Sequence, residues 1–544
     1  MPKYLDANYG ELLDRTINQL LKTQGLKELP FSFSEAINKT DPSIAIATRT
    51  IFVSPLNGDD NNDGLSVSTP LRTLTAAQNI IPNPMVGSIT IRVIGGGVLP
   101  GISWRKMGAT KGSTLIIGTN FPGLVTNANI DTTTYNVLAT GTISSNASDP
   151  DNANNTATAF QSQNWTVTVA GTPFTPNAFK GKWIWFTSLN TGSTQAAVLR
   201  QVISNTNNTI EFARNGATIT NGHTFSIIDV TTTMTNTIWQ GQSQVTFAVQ
   251  GMAMSGTGGG INWVAGYDSQ LFLTSVRQTF SGTNVLIVGG GFRAIYSNCH
   301  LKFNNTGIVG FVPRSAGLTI NFSGCYLESS TATLIQMLDD YGAGDVQAEF
   351  IASTIDFSTG ADWYIYGSQV RILPKCKLGT IFIGYGSNIY GTVSGPFIMP
   401  TGLNKPAIRA FGPVIVDLNT FRVNMNTSTA PAIIAETGAV INIGELSGHS
   451  NGGVVNTSHS ALYAKNGGII RVAVTADTQL VGNVGRFVCE ARDGGSVIFN
   501  NSFRGNWTGT LGFASVDGVT PVASGALPVG SATEFSRIYE SNTV

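Results

Sequence analysis

Charge is what this chain has least of. Only 11% of its 544 residues are charged, against roughly 25% in an ordinary soluble domain. The 31 basic and 31 acidic residues cancel. No basic excess or stripe is present to hold a nucleic-acid backbone, so nucleic acid is not an expected partner. No run of 18 apolar residues occurs, which excludes a membrane-spanning helix. The start, MPKYLDANYGELLDRT, lacks the apolar core of a secretory signal, so folding in a cytoplasm is expected. Cysteine is scarce too: Cys299, Cys325, Cys376 and Cys489 form no C-x-x-C pair, which leaves zinc and redox chemistry with little support. The four histidines, His223, His300, His449 and His459, form neither H-x-x-x-H nor H-E-x-x-H and are expected on the surface. No metal and no cofactor is expected.

What fills the space is apolar residues at 42%, 62 glycines, and abundant Thr, Ser and Asn. Gly and Asn accept positive φ, and Thr suits a pleated surface. That profile describes many short strands joined by tight turns, an all-β protein. The length allows several ordinary domains or one elongated repeat structure.

Four changes of rhythm divide the chain. Residues 1–50 begin with an apolar helical stripe of Leu5, Tyr9, Leu12, Leu13, Ile17, Leu20 and Leu21 at offsets of three and four. Helices this small need another surface to dock on, with Leu12, Leu13, Ile17, Leu20 and Leu21 as the docking residues. Residues 51–159 follow, then 160–230, where short strands alternate with Gly/Asn turns every eight to twelve residues. This reads as an inserted small antiparallel barrel or sandwich with Trp165, Trp183, Trp185, Phe186, Phe212 and Phe225 in its core. From 231 to 517 the chain is repetitive. Aligning Cys299, Cys325, Ser353 and Cys376 gives steps of 26, 28 and 23, and Gly412, Gly438, Gly467 and Gly494 give 26, 29 and 27. A strand–turn–strand unit of this length, with no helical period and no leucine-rich frame, predicts a parallel β-helix. The cysteines then stack as small buried side chains. Residues 518–544 form a tail that either closes the final coil or threads along a partner.

The stretch IFVSPLNGDDNNDGLSVSTPLRTLTAAQ resembles the opening motif of pectate-lyase-like right-handed β-helices. The matching residues are Ile51–Ser54, Gly58–Gly64, Ser66, Pro70, Arg72, Thr73 and Leu74. A short helix at Thr75–Ile80 plugs an open solenoid end, where apolar core and strand edges are otherwise bare. The segment Phe179–Val230 is similar to small β modules of bacteriophage tail fibres and tailspikes. The two resemblances imply a tail-fibre or tailspike-like virion appendage, commonly a homotrimer. Its N-terminus would attach to other virion proteins of the portal, neck, baseplate or capsid. The rest would meet a polysaccharide or protein receptor on the host. Such a protein is assembled in the host cytoplasm and carried on the virion, with no membrane insertion.

Some tailspikes cut polysaccharide, which by hydrolysis needs two facing carboxylates. The best acidic cluster here is Glu328, Asp339, Asp340, Asp345, Glu349, Asp356 and Asp362. Glu328 and Asp356 lie one coil apart and are the candidate acid–base or acid–nucleophile pair, with Asp339 and Asp340 in a loop nearby. Trp363, Tyr364 and Tyr366 are candidates to stack on a sugar ring. The same carboxylates read equally as solvated surface groups. A calcium-dependent lyase is disfavoured because no aspartates gather within the coils. DDNNDG has a Pro at its twelfth position where an EF-hand needs Glu, so Asx-turn chemistry explains it.

Overall fold

The computed structural model describes residues 48–541 except 82–84, 86, 103, 105–112, 126–128, 149–163, 172–173, 190–198, 214–218, 236–238, 241–244, 257–262, 266–269, 284, 290–291, 314–316, 339–345, 372–374, 386, 392–396, 427, 449–456, 458, 474–482, 485–486, 501–507, 510–511, 517–518 and 523–536. The docking residues Leu12, Leu13, Ile17, Leu20 and Leu21 lie outside the described residues, as do Asp339, Asp340, Asp345 and His449.

Strand Arg49–Val53 pairs in parallel with Ser88–Val93, and that strand with Ser113–Gly118. The same face continues through Val245–Gln250, Gln270–Thr274, Phe292–Ser297 and onward. A second face runs from Gly97–Pro100 through Thr232–Thr235, Ala253–Gly256, Arg277–Gly282, His300–Asn305, Tyr326–Ser329 and Thr354–Phe357. A third is a 13-stranded sheet beginning at Trp239–Gln240. The chain is a parallel β-solenoid of about 11 turns.

Side chains alternate in and out along each strand, and parallel register piles the inward ones into columns. Ile91, Ile117, Val249, Leu273, Tyr296, Phe322 and Phe350 form one such column. Within it Tyr296–Phe322 and Phe322–Phe350 stack with centroids 5.1 and 4.9 Å apart.

The corners repeat as well. Between the first and second faces, Gly251, Ser275, Asn298, Gly324 and Ala352 all take positive φ. Each amide of the first four bonds the coil above, as in Asn298 N to Ser323 O at 2.7 Å. Later corners pair two left-handed residues, Thr437–Gly438, Asn466–Gly467 and Asp493–Gly494, the backbone of a type I′ turn. These glycines are the periodic ones seen in the sequence.

The cysteines are all buried and unbridged, but they do not make one column. Cys299, Cys325 and Ser353 stack, each donating to a carbonyl of the preceding strand in its own coil and to one in the neighbouring coil. Cys376 pairs instead with Ile355, two positions off the expected alignment. Cys489 lies on the third face, opposite Leu462.

At the N-terminal end, helix Leu74–Asn79 buries Leu74 and Ala77 against the first coil, and Thr73 caps it. Asp60 accepts from Arg72 N, Thr73 N and Thr73 Oγ1 at 2.8–2.9 Å. Asp59 and Asp63 close Asx turns on Asn61 N and Leu65 N. The acidic turn is thus a backbone clamp. At the other end, Arg537–Ser541 pairs in parallel with Ser496–Asn500, so this part of the tail extends the last coil.

The inserted module is antiparallel, with strand order Tyr135–Thr142, Thr224–Val230, Trp183–Trp185, Leu199–Asn205, Thr209–Ala213, Asn164–Thr168. Bridges Ile143↔Val169 and Ser148↔Thr166 bring the last strand back to the first, closing a barrel. It begins near Tyr135, earlier than the expected 160, because Tyr135–Thr142 pairs with Thr224–Val230 rather than with a coil. Phe186, Phe212 and Phe225 lie in its core and Trp165 packs at the edge. Trp183 does not belong to that core. With Phe121, Leu199, Ile228, Val230 and Ala253 it forms the apolar seal between barrel and solenoid.

Candidate functional site

The barrel leaves the solenoid after Gly118, returns at Thr232, and lies against the outer side of the second face. The outward residues of that face are in register: Arg277, His300, Tyr326, Thr354 and Lys375 in one column, Thr279, Lys302, Glu328 and Asp356 in the next. Glu328 and Asp356 are direct neighbours on adjacent coils, and the barrel reaches between them. Lys180 Nζ lies 2.9 Å from Asp356 Oδ2 and 3.4 Å from Glu328 Oε2, with Tyr326 beneath it in cation–π distance at 5.3 Å.

Both carboxylates have further partners. Tyr326 donates its hydroxyl to Asp356 Oδ2 at 2.9 Å. His300 Nε2 is 3.0 Å from Glu328 Oε1, and its ring stacks on Tyr326. Burial pushes the Glu328 carboxyl up, but the His300 hydrogen bond, with the charges of Lys180 and Lys302, outweighs it and brings it down to about 2. Burial depresses His300 below its ordinary value, so at neutral pH its ring donates as neutral imidazole and the lysines supply the charge. His300 is therefore a buried docking residue, not a surface one: solenoid and barrel enclose it, and Gly181 has no room for a Cβ, which would stand 2.3 Å from His300 Cε1. His223 and His459 are only partly buried, each accepting a backbone N–H at Nδ1.

Two further clamps flank this one. Asp229 of the barrel pairs with Lys182 and Arg277. Half-buried Glu211 accepts from Lys375 at 2.6 Å, Ser204 at 2.7 Å and Asn164 at 3.0 Å. Trp183 Nε1 donates to Asn298 O at 3.0 Å. Between the clamps a polar cleft of 390 Å³ is lined by Lys180, Lys182, Asp229, Arg277, Lys302 and Glu328. Among the described residues no three His, Cys, Asp or Glu side chains gather to hold a metal.

The aromatic candidates separate by the strand alternation. Trp363 is buried inside the solenoid, edge-on to Phe350 at 5.7 Å, and presents no face to a ligand. Tyr364 and Tyr366 point outward on the third face. Lys180, Lys182, Glu211, Asp229 and His300 carry no local motif. What FKGK offers is two lysines two apart, and nothing in the sequence says which coil they meet.

No protein-family profile and no curated protein matches this chain. Among solved structures it is similar to the tailspike protein gp49 of Pseudomonas phage LKA1, at 12% identity and TM-score 0.21, covering 81% of this chain and 75% of that one. It is also similar to XylC in complex with xylose, at 9% and 0.20, covering 86% of both. A third is the gp54 tailspike of Acinetobacter baumannii bacteriophage AP22 with capsular saccharide, at 12% and 0.18, covering 84% and 81%. At these values the likenesses carry no functional conclusion.

Proposed function

We propose that this chain is a bacteriophage virion appendage of the tail-fibre or tailspike kind, which docks on the particle through residues 1–50 and contacts the host surface without cutting it. Support for the class comes from the β-helix opening motif at Ile51–Leu74 and from a small β module mounted on the flank of a rigid solenoid. A trimer attached through Leu12, Leu13, Ile17, Leu20 and Leu21 would give each particle several copies and multiply weak contacts.

The observation favouring adhesion over cleavage is Lys180. Glycoside hydrolysis needs one carboxyl protonated and a gap where the scissile bond can sit. Glu328 is held deprotonated far below neutral pH, and a lysine fills the space it shares with Asp356. These residues act as the clamp that orients the barrel. The experiment is incubation of the full chain with purified host surface polysaccharide. Co-elution with polymer of unchanged length is expected. New reducing ends or unsaturated sugar ends would favour the depolymerase reading, with Asp339 and Asp340 then the next residues to replace. Immunogold labelling of particles tests the virion assignment, and unlabelled particles would refute it.

A further inference from the structure

The barrel lies on the second face, and among the described residues the third face carries a partly exposed aromatic cluster. Tyr364, Tyr366, Phe382, Tyr385 and Phe411 stand on three consecutive coils. Tyr364 stacks on Phe382 at 4.5 Å and lies parallel to Tyr366 at 6.0 Å. Phe411 is steeply tilted to both Tyr366 and Tyr385, at 5.7 and 6.4 Å.

Two glycines make the arrangement possible. A Cβ on Gly384 would stand 2.3 Å from Tyr366 Cε1, and one on Gly412 would meet three atoms of the Tyr385 ring at 2.9–3.1 Å. Each tyrosine ring therefore lies over bare backbone on one side. Tyr385 remains 57% exposed on the other, a sizeable apolar surface left in water.

We propose that this platform binds uncharged pyranose rings of a surface saccharide, the C–H faces of the sugar lying on the tyrosine rings and its hydroxyls reaching the rim. The rim decides the charge of the occupant. Arg409, within 5.9 Å of the Phe382 ring, is paired with Glu436, and Lys405 with Asp362 at 2.8 Å. Glu436 is shared with Lys465 at 3.0 Å, so each of these cations already has a carboxylate partner, and the pairs offer donors and acceptors to hydroxyls without a bare charge for a charged sugar. Size argues against a second copy, since a stable protein interface needs on the order of 20–30 residues a side and this cluster offers five rings. The proposal rests on the host-contact reading and gives it a ligand class.

The test is saturation-transfer NMR on the full chain with neutral hexasaccharides of glucose, galactose and mannose, and with an oligogalacturonate of equal length. At least one neutral probe should bind through its ring C–H protons. Tyr385→Ala should weaken it about tenfold, on the order of 1.4 kcal/mol. Gly384→Ala, which removes no aromatic ring and only displaces Tyr366, should weaken it by a similar factor. Lys180→Met, on the other face, should leave it unchanged. The proposal is overturned if no neutral probe binds, if the acidic probe binds more tightly, or if both platform variants bind like the parent. It is also overturned if sedimentation shows Tyr385→Ala dissociating an oligomer, which would make the face an interface between copies. Cleavage of a bound hexasaccharide would refute the non-cleaving role while leaving the platform standing.

Discussion

Replacing Lys180 with Met keeps the length of the side chain and removes the charge between Glu328 and Asp356. Two carboxylates on adjacent coils then face each other under the barrel. The Glu328 carboxyl sits at about 2 against its ordinary 4.5, a depression worth roughly 3 kcal/mol at the most. Lys180 supplies only part of that, beside His300 and Lys302, and its side chain is 32% exposed. Losing its bond to Asp356 adds a contribution of similar size. After allowing for solvent, we expect the variant to weaken barrel docking by about 2 kcal/mol, below the 3–5 kcal/mol seen when fully buried pairs are broken. In calorimetry the barrel transition should fall by roughly 8 °C or more, as expected for a unit of about 100 residues. The pH dependence follows from the direction of the shift. A depressed carboxyl stabilises the folded state fully above its ordinary value and loses that contribution as pH falls toward its folded value. The gap between parent and variant should therefore be widest at pH 7 and narrow between about pH 4.5 and 2. Adding Asp356→Asn to the variant should recover part of the loss, because one of the opposed charges is gone. An unchanged barrel transition, or a gap constant from pH 7 to pH 3, would refute the clamp.

The hydroxyl of Tyr296 is buried without a hydrogen-bond partner in the column above Phe322, so Tyr296→Phe should stabilise by about 1 kcal/mol in thermal unfolding. Thr437 holds φ 56 where the equivalent corners use Asn466 and Asp493; Thr437→Asn should raise stability by ~0.5–1 kcal/mol, and a loss would mean the side chain has an unrecognised role. Asp60→Ala removes three bonds that tie the acidic turn to the helix cap and should cost about 2 kcal/mol, seen as faster amide exchange at Arg72 and Thr73. Burial pushes the Cys376 and Cys489 thiols well above their ordinary value, so alkylation at pH 8 should require unfolding.

The solenoid was legible because its period is written in corners. Gly438, Gly467 and Gly494 mark left-handed positions that few other residues fill cheaply, and their spacing is the coil length. Alignment on residue identity was less secure: matching Cys376 to Ser353 slipped by two, since strand register follows hydrogen bonds and not side-chain likeness. The start of the barrel was missed because TTYNVLATGT has the same Thr-rich alternation as a coil strand. In DWYIY the period of two places Trp363 and Ile365 on one side and Tyr364 and Tyr366 on the other, so three aromatics could never share one face. Which side was inward needed the neighbouring strands. The docking of the barrel was not legible at all. Lys180 and Asp356 are 176 residues apart, and nothing local to either one encodes the meeting.

The placement of charge gives these pieces a common logic. A chain with so few ionic groups puts Lys180, Lys182, Glu211, Asp229, Arg277, Glu328, Asp356 and Lys375 at a single junction. Apolar contact alone, through Trp183 and its neighbours, would hold the barrel on but would tolerate sliding along a face whose coils repeat every few ångströms. Ion pairs do not tolerate it, because a shift of one coil leaves each cation opposite the wrong partner and desolvated carboxylates unpaired. Charge thus fixes register on a surface that geometry leaves nearly periodic. With the barrel held on the second face by these pairs, the proposed tyrosine platform stands apart from it on the third.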